Sequence, residues 1–136
     1  LVEDLQKGIG CSCKVVMAGY RLTPRYPYPC VLEDCFPVYR WIAEHTQELS
    51  IDPGRIALHG NSVGGGLSAG LTHLVRDSPK QMPLFQMLIY PVLDARLSTD
   101  SMQKYVDILI WNAKLNAKMS KLHLQGKRIH TLHHMR

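Results

Sequence analysis

Gly60-Asn61-Ser62-Val63-Gly64 sets a serine midway between two glycines, and Gly65, Gly66 and Gly70 follow close behind. Bare backbone at this density suits three kinds of chemistry. A phosphate-binding loop needs G-x-x-x-x-G-K-[ST], with a lysine to meet the phosphates. Gly60 and Gly65 have that separation, but Gly66 and Leu67 stand where the lysine and hydroxyl belong. A dinucleotide-binding turn needs G-x-G-x-x-[GA], which residues 64–69 satisfy, followed some 20 positions on by an acid for the ribose. Residues 78–93 contain no acid. The third pattern is G-x-S-x-G. A serine on a sharp strand-to-helix turn has a strained backbone that lifts its hydroxyl clear of the sheet edge, where it can attack a carbonyl. Gly60 and Gly64 are then expected to be glycine because a side chain would collide with the adjoining strand and helix. The backbone N–H of Val63 and the helix start would face a developing oxyanion. The structural alternative is a tight glycine turn with a capping serine.

Such a serine has to be carried by a strand and followed by a helix, and the surrounding pattern supplies both. Residues 55–59 read as a short buried strand and residues 67–75 as a helix. Upstream, residues 1–7 read as the end of a helix stopped by Gly-Ile-Gly-Cys, and residues 14–22 as a buried strand leading into a loop stiffened by prolines. Between residues 30 and 49, Val31, Cys35, Val38, Ile42 and Leu49 recur at helical spacing. Pro37 sits inside that helix, where a missing hydrogen bond costs about 3 kcal/mol and favours a kink. Residues 84–90 form a third apolar strand closed by Pro91. Strand, helix, strand, helix, strand is the order of an α/β protein with a parallel sheet.

The chain has 136 residues, 46% of them hydrophobic, enough for one modest domain with a real core. No apolar run reaches the length of a membrane span. The chain starts at Leu1, with no initiator methionine and no basic-then-apolar leader. The net charge of +5 belongs to the last third, where residues 101–136 hold seven Lys/Arg and one acid. Cys11, Cys13, Cys30 and Cys35 lack the C-x-x-C spacing of a zinc or redox site, and read as buried thiols in a reducing compartment, which favours the cytoplasm. Lys114, Lys118 and Lys121 recur at helical spacing beside Leu115, Met119 and Leu122. A membrane or nucleic acid would suit that face, but a helix with solvated lysines is the preferred reading, and no nucleic-acid partner is expected. His130, His133 and His134 lie in a tail with no acid or cysteine beside them, so no metal site is expected.

Several segments together resemble the hormone-sensitive-lipase-like branch of the α/β-hydrolases: VVMAGYRLTPRYPYPCVLEDC, RWIAEHTQELSIDPGRIALHGNSVGGG, FQMLIYPVLDARLSTDS and WNAKLNAKMSKLHL. The likeness covers roughly residues 1–124, including the start of a cap segment, and leaves residues 125–136 as a basic, histidine-containing tail without a counterpart. It implies a partial α/β-hydrolase fold: three parallel strands with intervening helices, in an incomplete sheet. It also implies a carboxylic ester hydrolase in which Ser62 is the nucleophile on an elbow framed by Gly60 and Gly64, and the N–H of Val63 is an oxyanion donor. A small-molecule ester of modest acyl length would be the substrate, without metal or organic cofactor; the oligomeric state stays open. By the same resemblance, the H-G-G-G oxyanion loop falls upstream of Leu1, and the triad Asp and His fall beyond this chain, which would then be a piece of a larger protein. Asp94 follows the third strand too early to be the triad acid and is expected to tie a loop, and neither His59 nor His73 matches the triad position. A strand of the family sheet would lie between strands 14–22 and 55–59, so those two are not expected to be neighbours. The chain departs from the family pattern at Asn61 and Gly19 and at Arg25, each in place of an acid, and at Val63 in place of a small residue. A non-catalytic small-molecule-binding relative, or an inactive truncated product of the same fold, is the alternative.

Overall fold

A computed structural model describes residues 2–4 and 13–125. Two helices pack face to face at its centre. Helix α1 (Cys30–Glu44) buries Val31, Leu32, Cys35 and Tyr39, and α2 (Val63–Arg76) buries Leu67, Leu71 and Val75. The spacing of three to four residues puts each set on one helical stripe. Together they form the core, with Val75 at 0% exposure. Burial raises the Cys35 thiol and Tyr39 phenol above their ordinary pKa values. The Tyr39 hydroxyl donates to the Gln81 carbonyl at 2.7 Å, so its polar end is satisfied. Of the other cysteines, Cys30 is half-buried but Cys13 is exposed, against the expectation of buried thiols; Cys11 lies outside the described residues.

The α1 helix continues through Pro37 and ends at Glu44, earlier than the apolar spacing to Leu49 suggests. Its last carbonyls, those of Trp41 and Ile42, are taken by the His45 N–H, and the chain turns through hydrogen bonds from Leu49 to His45 and from Ile51 to Thr46.

Strand β3 (Leu58–Asn61) pairs in parallel with β4 (Gln86–Ile89), with Leu58 opposite Gln86 and Asn61 opposite Ile89. The strand begins later than residue 55 because Pro53–Arg55 forms a 3-10 turn, in which the Asp52 carboxylate accepts the Gly54 N–H at 2.8 Å. Hydrogen bonds from Leu84 N to Ile56 O and from Leu58 N to Phe85 O continue the ladder at its start. β3 and β4, with α2 packed against both, form the β-α-β unit that the alternation of patterns implied.

The first of the three expected strands behaves differently. Only Val16–Ala18 (β2) is extended, and it pairs antiparallel with β1 (Val2–Asp4) in a separate two-stranded sheet. Residues 2–4 are therefore strand, not the end of a helix. A stretch this short gains little from the single helical turn it can nucleate, whereas pairing along β2 satisfies its backbone at once. The remainder of residues 1–7 and the stop at residues 8–11 lie outside the described residues. β2 does not pair with β3, as the resemblance implied, and the described residues hold one parallel pair of strands.

In the loop after β2, the Asp34 carboxylate accepts the Arg21 N–H at 2.9 Å and also receives the Arg21 guanidinium, at 2.8 Å for its shortest contact. This fork ties the loop after β2 to the outside of α1. Helix α3 (Asp100–Lys104) and α4 (Ala113–Leu124) complete the described chain. The Asn112 side chain caps α4 by accepting the Leu115 N–H at 3.0 Å. The other end of α4 rests on the proline-rich loop, where the Tyr28 N–H donates to His123 O at 2.8 Å and the Gln125 amide donates to Pro24 O at 2.7 Å. No helix among the described residues is long and apolar enough to cross a membrane.

The Arg21 fork holds the Asp34 carboxyl below its ordinary value of 3.8. A carboxyl whose pKa is depressed by folding contributes stability that is fully present above its unfolded pKa and is lost as pH falls through the folded one. Asp34→Asn should therefore lower the denaturation midpoint at neutral pH and should flatten its fall below about pH 4; urea melts across that range measure both.

Candidate active site

Ser62 lies between β3 and α2 with φ 53° and ψ −118°, a backbone conformation that a residue with a side chain rarely adopts. Three hydrogen bonds hold it there. The Ser62 N–H donates to Ile89 O at 2.9 Å, and its carbonyl accepts the N–H groups of Val92 at 3.1 Å and Gly66 at 3.2 Å. The end of β4 and the residues after it thus clasp Ser62 from both sides, which is the over-determination that strained backbone requires. The Ser62 hydroxyl makes no capping hydrogen bond to α2, so this is not the capped glycine turn offered as the alternative. Val63 opens the helix, and its N–H belongs to the first turn, whose donors an α-helix leaves without intrahelical partners.

The neighbouring glycines divide in a way the pattern did not reveal. A Cβ on Gly60 would stand 2.1 Å from Gly64 O, so a side chain there is excluded as expected. A Cβ on Gly64 would meet nothing within 4 Å, and the expectation of a collision at Gly64 is corrected. The close approaches fall instead on the next two residues: a Cβ on Gly65 would come within 2.9 Å of the Pro91 side chain, and one on Gly66 within 2.2 Å of Val92 O. At Gly64 the backbone lies against β3 while the Cβ position faces open space; the Cβ positions of the next two residues face the segment after β4.

That segment forms one wall of a cavity of about 300 Å³, which runs from Tyr90–Leu93 across to Met102, Trp111 and Asn116. Asn116 is buried and its amide donates to Met102 Sδ at 3.5 Å. Asp94 lies on the same wall but is occupied: it accepts the Arg96 backbone N–H at 2.8 Å and the Arg96 guanidinium at 2.7 Å, which ties its loop and holds its pKa at about 2.

Among the described residues no histidine or carboxylate hydrogen-bonds the Ser62 hydroxyl. His59 is exposed on the face of β3 away from α2, and His73 is exposed on α2. His45 stacks on Trp41, and His123 packs beside Tyr28, where burial lowers its pKa. His130, His133 and His134 lie outside the described residues. Among the described residues no group of three or more His, Cys, Asp or Glu is placed to hold a metal ion.

A sequence profile described as alpha/beta hydrolase fold matches residues 8–135, a range that runs into the basic tail. The chain belongs to the α/β-hydrolase family. Over 99 residues, 73% of this α/β-hydrolase chain, it is 40% identical to carboxylesterase NlhH of Mycobacterium tuberculosis and spans 31% of that protein. The crystal structure of esterase LipW from Mycobacterium marinum superposes with a TM-score of 0.80 at 34% identity, over 85% of this chain and 37% of LipW. An esterase of the bacterial hormone-sensitive lipase family superposes with a TM-score of 0.72 at 30% identity, over 85% of this chain and 38% of that one. The chain thus spans about a third of the length of these relatives, and the branch suggested by its sequence segments is the branch it matches.

The glycine geometry yields an ordered series. Gly60→Ala and Gly66→Ala force a Cβ into a backbone carbonyl and should each cost about 3 kcal/mol or more, enough to abolish the cooperative melt. Gly64→Ala, in open space within a helix, should leave stability unchanged or raise it by about 0.5 kcal/mol. Denaturant titration of the three variants, with circular dichroism as readout, tests the series.

Proposed function

We propose that this chain carries the nucleophile segment of a serine carboxylic ester hydrolase, with Ser62 as the attacking group on a G-x-S-x-G elbow framed by Gly60 and Gly64. The observation that supports it best is the left-handed backbone of Ser62, held by three hydrogen bonds between β3 and α2 without the hydroxyl being spent on a cap. Strain of this kind persists where function uses it. The names of NlhH and LipW as esterases agree with the reaction class.

In the proposed reaction the Ser62 oxygen attacks an ester carbonyl while a histidine takes its proton. The carbonyl oxygen becomes an oxyanion that accepts a hydrogen bond from the Val63 N–H. Collapse of the tetrahedral species breaks the bond to the alcohol, which leaves with the proton from the imidazolium. Water then attacks the acyl-Ser62 ester, the histidine again taking the proton, and the carboxylic acid departs as the serine is restored. The histidine and the acid that orients it come from outside the 136 residues in this reading. The steps need neither metal nor organic cofactor. Small-molecule esters of modest acyl length are the proposed substrates, and the cavity of about 300 Å³ shares Val92 with the Ser62 clasp.

A second reading rests on the histidines: none of those described lies at Ser62. A non-catalytic relative that binds small molecules would keep the turn and the cavity without the base.

Fluorophosphonate labelling and p-nitrophenyl ester hydrolysis, applied to the longest natural protein that carries this chain and to its Ser62→Ala variant, separate the two. The enzyme reading expects labelling at Ser62 and a fall in kcat of about 10⁴-fold or more in the variant. Folded protein that takes up neither label nor ester turnover would favour the binder. Labelling or turnover that survives Ser62→Ala would remove Ser62 from the reaction.

A further inference from the structure

The two groups that would handle an ester at this turn sit on consecutive residues. The Ser62 hydroxyl would bond to the carbonyl carbon, and the Val63 N–H would hold its oxygen. A carbonyl gripped through both atoms has little freedom to shift. What else Val63 brings there follows from its side chain. It is the first residue of α2, and a helical Cα–Cβ bond tilts toward the helix N-terminus, the end at which the first N–H groups point outward. Valine carries two methyl groups on Cβ, with three staggered positions open to them. Two of those positions are gauche to the residue's own nitrogen, so every rotamer sets at least one methyl beside the N–H. An oxyanion about 2.9 Å from that nitrogen then has the methyl as a neighbour. Methyl and N–H belong to one residue, so nothing packed around the turn can separate them.

The backbone cannot retreat to relieve the crowding. Behind Val63 a Cβ on Gly65 would come within 2.9 Å of the Pro91 side chain, and one on Gly66 within 2.2 Å of Val92 O. Ser62 O is held by the N–H groups of both Gly66 and Val92. Among the described residues the Val63 side chain takes no part in the apolar core, which therefore does not draw it away from the turn. The groups that meet the methyl are the two substituents of the reacting carbonyl carbon. On the acyl side the first branch atom is two bonds from that carbon; on the alcohol side the ester oxygen puts it three bonds away. The acyl group also passes through the oxyanion twice, as acyl-Ser62 forms and as water removes it. We propose that Val63 is a specificity-determining residue that admits acyl groups unbranched next to the carbonyl and disfavours branched ones. This role rests on the reading of Ser62 as nucleophile and names the substrate class within it, esters of straight-chain carboxylic acids.

p-Nitrophenyl butyrate and p-nitrophenyl isobutyrate contain the same atoms and the same leaving group and differ only in the branch. The ratio of their kcat/KM values, measured on the longest natural protein that carries this chain, isolates that difference. Val63→Ala should lower the butyrate-to-isobutyrate ratio by about tenfold, the size of effect that one methyl group has in a binding site. Val63→Thr, which keeps two heavy atoms on Cβ, should hold the ratio within about twofold of wild type. Because the ratio is taken within each variant, a change in overall rate does not enter it. A wild-type ratio in Val63→Ala, or an equal fall in Val63→Thr, overturns the role of Val63, and butyrate hydrolysis that is lost with Ser62→Ala would leave the esterase reading standing. Hydrolysis that survives Ser62→Ala, or that the folded wild-type protein lacks for both esters, overturns the two together.

Discussion

The contact on which the described structure depends is the approach of the first turn of α2 to the ends of β3 and β4. At Gly60, Gly65 and Gly66 the backbones come so close that a single Cβ would lie within 3 Å of a neighbour. This proximity lets the Ser62 carbonyl accept the Val92 N–H and the Ser62 N–H reach Ile89 O, so the turn is fastened to β4 and not only to its own strand and helix. The same approach sets where α2 lies over the sheet. That position, in turn, brings Leu67, Leu71 and Val75 against Val31, Leu32 and Tyr39 on α1. Gly70 adds to it, since its missing side chain leaves room for Leu32, whose Cδ1 would stand 3.1 Å from a Cβ there. The core therefore inherits its register from glycines in the turn.

How much of this could be read from residue order follows from the range of each interaction. The turn itself was legible, because a serine flanked by Gly60 and Gly64 after a short apolar run is a local requirement written in adjacent residues. β4 was legible because its apolar run is bounded by Pro83 and Pro91. The start of α2 was not: three consecutive glycines have poor helix propensity, and only the contacts of Gly65 with Pro91 and of Gly66 with Val92 show why the helix nevertheless begins at Val63. Which glycines are sterically required also depends on those partners, more than 20 residues away, so Gly64 looked necessary and Gly66 did not.

The family departures look different once the partners are visible. By the resemblance, Gly19 and Arg25 stand in place of acids, a change that removes one negative charge from the loop after β2 and reverses another. The loop is nonetheless held, because Arg21 finds Asp34 on α1, and Arg25 lies over the Tyr26 ring with its guanidinium carbon 5.4 Å from the centroid. An acid lost from the loop need not unfasten it when another on the facing helix supplies the counter-charge.

The distribution of strained backbone carries a further argument. Among the described residues, six other than glycine have positive φ: Ser50, Ser62, Tyr90, Leu97, Ile110 and Gln125. Two of these, Ser50 and Gln125, sit at a turn and at a helix end, where the left-handed conformation is an ordinary way to stop. The other four are of another kind. Ser62 and Tyr90 stand at the carboxyl ends of the paired strands β3 and β4, Leu97 lines the cavity beyond them, and Ile110 adjoins Trp111 on its far wall. In open α/β sheets ligands bind in the crevice outside the carboxyl ends of the strands. Strain that gathered for packing alone would fall in the core, yet α1 and the buried face of α2 have none. It gathers instead at the carboxyl ends of β3 and β4 and along the cavity beyond them, where Val92 both lines the cavity and donates its N–H to the Ser62 carbonyl.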